Sequence, residues 1–186
     1  ISLIMVDFVD TYEALRNGRT PAMRAPRPYR EYIGWLQQQS QPLAKAFWQD
    51  QLRGLDAPTP LTIEQQPRQS QYSEAVLVDD DLVQLDSTQT QHLMQFCQRH
   101  RITPNTLFQG AWALLLSRYS GNPDVLFGVT VAGRPPQLSG VEEMIGLFIN
   151  TLPLRVQVRP DLDLVGWLQS LQRLNLDLRE FEHSSL

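Results

Sequence analysis

Two short stretches in which apolar residues recur every second position constrain the fold of this chain most. The alternating residues are Val125, Phe127, Val129 and Val131 in the first stretch, and Leu152, Leu154, Val156 and Val158 in the second. This period places each set on one face of a β-strand. Elsewhere apolar residues recur every three to four positions, which is typical of helices. Because strands and helices do not alternate regularly, the sequence predicts an α+β domain built as a two-layer α/β sandwich.

Capping signals place the helices in the second half of the chain. Thr103 followed by Pro104 is the clearest helix start, and Asp86-Ser87 offers another N-cap. Two short helices are predicted over 29–39 and 41–52, with tyrosine and tryptophan side chains as packing anchors. A strand is predicted over 74–79. Apolar stripes at helical spacing predict a helix at each end of the chain; their residues are Ile1, Ile4, Met5, Phe8, Tyr12 and Leu15, and Leu164, Leu168, Leu171, Leu174, Leu178 and Phe181.

These signals divide the 186 residues into three successive segments. We expect a helical segment at 1–52, a connection rich in Pro and Gln at 53–71, and an α/β lobe at 72–186 that contains a Gly- and Pro-containing loop at 133–146. No capping residue precedes the first stripe, and the last stripe runs almost to the final residue. We therefore expect the chain to be part of a longer polypeptide.

Charge and cysteine content narrow the classes of function. The chain has 16 basic and 20 acidic residues, a net charge of -4, and Lys45 as its only lysine. This balance predicts no basic surface for nucleic acid or for an anionic membrane. Acidic residues interrupt the apolar N-terminal run, which argues against a signal peptide or a membrane span. A single cysteine, Cys97, cannot form an internal disulfide, so we expect a cytoplasmic protein.

The common catalytic constellations are missing from the sequence. There is no G-x-S-x-G elbow, no phosphate loop of the G-x-x-x-x-G-K type and no G-x-G-x-x-G turn. The three histidines lack the spacing of zinc ligands, so no metal and no tightly bound cofactor is predicted. Cys97 lies on an apolar stripe and is expected to be buried. His92 and His100 are expected to be solvated or at a helix end.

Two long motifs nevertheless resemble one known family. Residues 127–135 read FGVTVAGRP and residues 141–155 read VEEMIGLFINTLPLR. Together they resemble the condensation domains of nonribosomal peptide synthetases, whose pattern I-G-x-F-x-N-T-x-x-x-R follows a strand that ends in G-R. The length and spacing of this pattern make it specific.

Further segments agree with the same family in order and spacing. Residues 29–35, YREYIGW, resemble its Y-x-D-Y-x-x-W segment, with Glu31 where Asp is usual. The stretch from Ala46-Phe47-Trp48 to Gly54-Leu55 and the helix over 106–116 also match. Glu182-His183 resembles the start of the last family motif, but Ser184-Ser185 replaces its usual continuation. The resemblance covers essentially the whole chain.

The resemblance implies a fold and a reaction. Condensation domains resemble chloramphenicol acetyltransferase, with two lobes forming a V around a tunnel. Donor and acceptor peptidyl carrier proteins dock at its two mouths, each presenting a thioester on a 4'-phosphopantetheine arm. The acceptor amine attacks the donor thioester, and an amide forms. An adjacent adenylation domain is implied as a further partner, and no bound cofactor is expected.

The catalytic motif of the family, H-H-x-x-x-D-G, is not found in these 186 residues. In the family it precedes a helix like that predicted from Ile1, so the resemblance implies that this chain is the C-terminal lobe. No catalytic residue is therefore expected here, and the chain alone is predicted to be inactive. Its partner would be the N-terminal lobe.

Six residues are implied to be substrate-binding: Gly133, Arg134, Gly146, Phe148, Asn150 and Thr151. The loop at 133–146 is implied to close one side of the tunnel. Arg134 either pins this loop or lines the substrate channel, and Asn150 either holds a substrate oxygen or caps a turn. Arg155 is expected to pair with a carboxylate at the lobe interface.

Other interpretations remain open at the level of sequence. Epimerisation and ester-forming domains share most of these motifs. A lobe without active histidines would serve only to dock carrier proteins, and a free helical adaptor is a third class. The residues upstream of Ile1 would separate catalysis from docking, because an intact histidine motif there supports catalysis.

Overall fold

The described part of the chain consists of two compact units that are each discontinuous in sequence. The computed structural model describes residues 2–22, 25–61 and 82–184. The first unit combines 1–50, 129–152 and 181–186, and the second combines 51–128 and 153–180. The three successive segments predicted above stay a prediction. The predicted strand at 74–79 and most of the connection at 53–71 lie outside the described residues.

Six α-helices, two strands and one 3-10 turn are found in the described ranges. They are α1 (Ser2–Arg16), α2 (Arg30–Gln37), α3 (Gln41–Gln51), α4 (Ser87–His100), α5 (Pro104–Ser120), β1 (Asp124–Val131), the turn Val141–Glu143, β2 (Asn150–Gln157) and α6 (Leu164–Glu180). β1 and β2 are hydrogen-bonded neighbours in a two-stranded sheet. The predicted α+β composition is confirmed.

Capping explains where the two best-predicted helices begin. The carboxylate of Asp86 accepts from the backbone N–H of Gln89, whose side chain accepts from the Asp86 N–H, so α4 starts in a capping box. Thr103 caps α5 by accepting from the N–H of Thr106, and Pro104 follows at the first helical position. Both starts were predicted from the sequence.

The second unit is built around α5, which packs against α4 and α6. A polar ladder accompanies the apolar contact between α5 and α6. The buried Thr106 hydroxyl donates to Oε1 of Gln172 at 2.8 Å, and Asn175 donates to Oε1 of Gln109 at 2.7 Å. Because buried polar groups require partners, these bonds fix the register of the two helices.

Several burial predictions are confirmed and two are wrong. Cys97 is buried, and burial raises the pKa of its thiol. The inward residues of β2, Leu152, Leu154 and Val156, are buried as the alternation predicted. Leu164 is exposed, although it belongs to the predicted stripe of α6. The apolar stripe of α1 is likewise exposed.

The core of the first unit is small and aromatic. Tyr32, Val141, Met144 and Phe148 are buried together, and Tyr29, Trp35, Leu36 and Leu138 pack against them. The aromatic residues of α2 are therefore packing anchors, as predicted. This core brings α2 and the segment after β1 together, although more than 100 residues separate them in sequence.

Candidate functional site

All six residues implied to be substrate-binding lie in the run 133–151, between the end of β1 and the start of β2. The whole run belongs to the first unit. Gly133 and Phe148 are buried, Arg134 and Asn150 are half-buried, and Gly146 and Thr151 are exposed. The structure thus covers four of the six residues wholly or in part.

Gly133 occupies a position that other residues cannot fill. Its φ of 62° lies in the left-handed region. A Cβ added there would overlap the carbonyl oxygen of Phe148. Both the backbone conformation and this close approach require glycine. The backbones of residues 133 and 148 therefore touch at the base of the loop.

Arg134 binds the inner side of the same loop. Its guanidinium donates to the carbonyl oxygens of Val141 and Met144, the latter at 3.1 Å. The guanidinium carbon also lies 4.0 Å from the ring centroid of Phe148, which is the geometry of a cation–π contact. These contacts pin the loop, the first of the two roles expected for this residue. Contact with substrate stays a prediction.

Tyr29 holds the loop from the other side. Its hydroxyl donates to the carbonyl oxygen of Leu147 at 2.6 Å, and its ring meets Phe148 edge-on at 5.2 Å between centroids. A Cβ on Gly146 would overlap this ring, so the approach requires glycine at 146. Tyr32 also packs against Phe148, with centroids 4.7 Å apart. Burial, together with Tyr29 and Glu182, raises the pKa of the Tyr32 phenol.

Asn150 connects the loop to the C-terminal segment of the first unit. Its side-chain amide donates to the carbonyl oxygens of Glu182 and Ser184, both at 2.9 Å, and its side-chain oxygen accepts from the N–H of Thr151. Two aromatic contacts also hold this segment, between Trp35 and His183 and between Phe47 and Phe181. The amide of Asn150 therefore holds protein oxygens, and its contact with a substrate oxygen stays a prediction.

The structure thus joins three motifs that are distant in sequence. The segment 29–35, the run 145–151 and the segment 182–184 meet in one unit through Tyr29, Phe148 and Asn150. Arg27 adds a further support, since it donates to the carbonyl oxygen of Ser139 at 2.8 Å. The result is a loop whose backbone is bound every few residues.

The sequence analysis missed the outward face of this loop. Ile145, Leu147 and Ile149 alternate with inward residues and are exposed, Leu147 to 76% and Ile149 to 65%, whereas Phe148 is 4% exposed. The signal was present as a short period-two alternation. It was missed because the Gly, Phe and Asn residues of the motif dominate its resemblance to the family.

Arg155 has the carboxylate partner that the sequence predicted. It contacts Asp124 through two nitrogens, the shorter distance being 2.7 Å, and it donates to the carbonyl oxygen of Arg53 at 2.7 Å. The hydrogen bonds from Arg155 hold the pKa of Asp124 below its usual range. All three residues belong to the second unit.

Other site chemistries find no support in the part of the chain that the structure describes. Over residues 2–22, 25–61 and 82–184, no group of three or more His, Cys, Asp or Glu side chains could hold a metal ion. None of the described helices is long and apolar enough to cross a bilayer.

Comparison with known proteins gives one family and one fold. The family model described as the condensation domain matches residues 1–185. The chain is 41% identical over its full length to a linear gramicidin synthase of Brevibacillus parabrevis, of which it spans 4%. It is 34% identical over its full length to tyrocidine synthase 3 of the same organism, of which it spans 3%.

Two solved structures are similar to the chain in fold. One is the first condensation domain of the calcium-dependent antibiotic synthetase in complex with a substrate analogue, with a TM-score of 0.72 at 22% identity over 95% of this chain and 40% of that one. The other is the complex of the X-domain and OxyB from teicoplanin biosynthesis, with a TM-score of 0.69 at 23% identity over 100% of this chain and 42% of that one. The chain therefore spans less than half of each solved protein.

Proposed function

The chain belongs to the condensation-domain family of nonribosomal peptide synthetases, and on this premise we propose that it is the C-terminal lobe of a domain that joins two carrier-bound substrates by an amide bond. The acceptor amine attacks the donor thioester carbonyl, the new C–N bond forms, and the donor thiol leaves with the proton. The thiol belongs to the 4'-phosphopantetheine arm of the donor carrier. The arms arrive on the carriers, and this lobe binds no cofactor of its own.

The observation that carries the proposal is the convergence of the family motifs on the run 133–151. Tyr29, Phe148 and Asn150 bring three distant motifs into one unit. Backbone that is bound so closely suits a wall against which two substrates must be oriented, since orientation supplies much of the rate in a two-substrate reaction.

The residues of the run divide into two roles in this proposal. Gly146 and Thr151 are exposed and line the substrate channel, together with the outward residues Leu147 and Ile149. Gly133, Arg134, Phe148 and Asn150 hold that lining in place. The histidine that assists the acceptor amine lies in the N-terminal lobe, because an imidazole titrates near neutrality and the present chain has no such motif.

The partners follow from the same reaction. They are the N-terminal lobe, the donor and acceptor peptidyl carriers, and an adjacent adenylation domain that supplies the activated amino acid, all in the cytoplasm. An epimerisation or ester-forming domain would use the same lobe, and its product would be an epimerised thioester or an ester.

An amide-forming assay with two loaded carriers tests the proposal. It compares the synthetase polypeptide that carries this chain, the same polypeptide with the second motif histidine replaced by alanine, and the 186-residue chain alone. We expect amide from the first sample and none from the other two. An intact polypeptide that binds both loaded carriers without forming an amide would overturn the proposal.

A docking lobe is the second candidate, and the likeness to the X-domain favours it. That domain is found in a complex with OxyB, and forming such a complex requires a binding surface but no condensation chemistry. A docking lobe predicts that carriers or another protein bind with unchanged affinity after the motif histidine is replaced, and that no amide forms in either case.

A further inference from the structure

We propose that Arg134 is a positioning residue for the condensation step, which acts by fixing the run Met144–Ile149 and not by touching substrate. This inference rests on the proposed function, which places the outward side of that run at the substrate channel. It goes beyond that proposal by assigning one residue to one task.

The contacts of Arg134 all point into the loop. Its two terminal nitrogens bind the carbonyl oxygens of Val141 and Met144, and its planar face lies on the Phe148 ring. One side chain therefore ties together three residues that span the second half of the loop. A guanidinium suits this task because it donates along two directions while its face stacks on an aromatic ring.

The fixed residues alternate with displayed ones. Met144 and Phe148 are buried, whereas Ile145, Leu147 and Ile149 are exposed. The backbone is held at the Met144 carbonyl by Arg134 and at the Leu147 carbonyl by Tyr29. Because two separate donors hold this short extended run, the outward side chains have a fixed direction.

Lysine cannot reproduce the arrangement. An ammonium group is a point donor, and it cannot lie flat on Phe148 while also binding two carbonyl oxygens three residues apart. Arg134→Lys should therefore keep the charge and lose most of the positioning. Arg134→Ala should lose both, and it leaves a gap of the size of a guanidinium ion.

Single-turnover amide formation by the synthetase polypeptide, at saturating concentrations of both loaded carriers, tests the inference. The variants are Arg134→Ala and Arg134→Lys, with Arg159→Ala as the matched control because Arg159 is exposed and pairs with Asp161 two residues away. We expect the rate constant to fall at least about tenfold in Arg134→Ala and several-fold in Arg134→Lys, with carrier affinity unchanged. The control should match the wild type.

Guanidinium ion provides a second readout. Millimolar guanidinium chloride, far below denaturing concentrations, should raise the rate of Arg134→Ala in a saturable manner and should not raise that of the wild type. If Arg134→Ala is unfolded by near-ultraviolet circular dichroism, the folded Arg134→Lys variant decides: a wild-type rate constant in that variant overturns the inference.

The outcomes separate this inference from the proposed function. A wild-type polypeptide that makes no amide ends both. A wild-type polypeptide that makes amide, with Arg134→Ala as fast as Arg159→Ala, ends only the positioning role. An unchanged rate constant with a raised KM for the loaded acceptor would also overturn it, because that result assigns Arg134 to substrate contact.

Discussion

At the scale of the residue, the ion pair of Asp124 and Arg155 shows how a motif arginine contributes to the fold. Arg155 closes the I-G-x-F-x-N-T-x-x-x-R pattern, and in the structure it binds a carboxylate on β1 and the carbonyl oxygen of Arg53. The Asp124 side chain is 28% exposed, so solvent screens the pair only partly. The pair holds the sheet of the second unit against the residues that follow α3.

This pair predicts a pH dependence of stability with a definite sign. The pKa of Asp124 is lowered in the folded state by the hydrogen bonds from Arg155. Its contribution to stability is therefore present above the unfolded pKa of about 3.9 and is lost as the pH falls through the folded pKa. Asp124→Asn should cost about 1–2 kcal/mol at pH 7, and the difference from wild type should shrink below about pH 4.

Urea denaturation from pH 7 to pH 3 measures this difference. Asp161→Asn is the control, because its pair with Arg159 is more than half exposed and its effect should be smaller at every pH. A gap between wild type and Asp124→Asn that stays constant down to pH 3 would show that Asp124 is not the titrating group.

At the scale of the element, capping and periodicity predicted what is local. The starts of α4 and α5 and the alternation of β2 depend on residues within a few positions of one another, so the sequence contains them. The roles of Phe148 and Asn150 could not be predicted in this way. Their partners, Tyr29 and the Glu182 carbonyl, lie 119 and 32 residues away in sequence, and only tertiary packing brings them together.

Two helical glycines give opposite predictions for the same substitution. A Cβ on Gly110 of α5 would lie 2.5 Å from Leu168 and 3.2 Å from Trp167, both buried on α6. Gly34 of α2 has no such neighbour within 4 Å. Gly110→Ala should therefore destabilise by about 1–3 kcal/mol through overpacking, whereas Gly34→Ala should stabilise by up to about 1 kcal/mol through helix propensity.

The free energy of unfolding of the two variants, measured side by side, checks the packing of α5 on α6. Equal stabilisation by both substitutions would mean that the two helices do not approach each other as closely at Gly110 as described.

At the scale of the whole molecule, the apolar surface is larger than the sequence suggested. The stripe of α1 predicted as a packing face is exposed at Ile4, Phe8, Tyr12 and Leu15, while Leu3 and Thr11 are partly covered. Periodicity shows that a helix has an apolar face, but it does not show what covers that face. α5 exposes a second stripe at Phe108, Trp112 and Leu115.

This surface predicts that the isolated chain self-associates. Sedimentation velocity over a hundredfold range of concentration should show a rising mean mass, because apolar patches of this kind drive association. Phe8→Ser should reduce the association, whereas Glu13→Ser on the same helix should not. A monodisperse monomer with one sharp unfolding transition would contradict this prediction and the half-domain interpretation.

The central claim is that condensation needs the run 133–151 held as the structure has it, and one pair of substitutions tests it most directly. Gly133 and Gly18 have nearly the same φ, 62° and 66°, but an added Cβ overlaps the Phe148 carbonyl oxygen only at 133, and meets nothing within 4 Å at 18. Both alanine variants carry the same backbone strain, so their difference isolates the contact within the loop.

The measurement is amide formation by the synthetase polypeptide with two loaded carriers. We expect Gly133→Ala to lose at least about tenfold in rate and Gly18→Ala to retain most of the wild-type rate. Equal rates in the two variants would contradict the account.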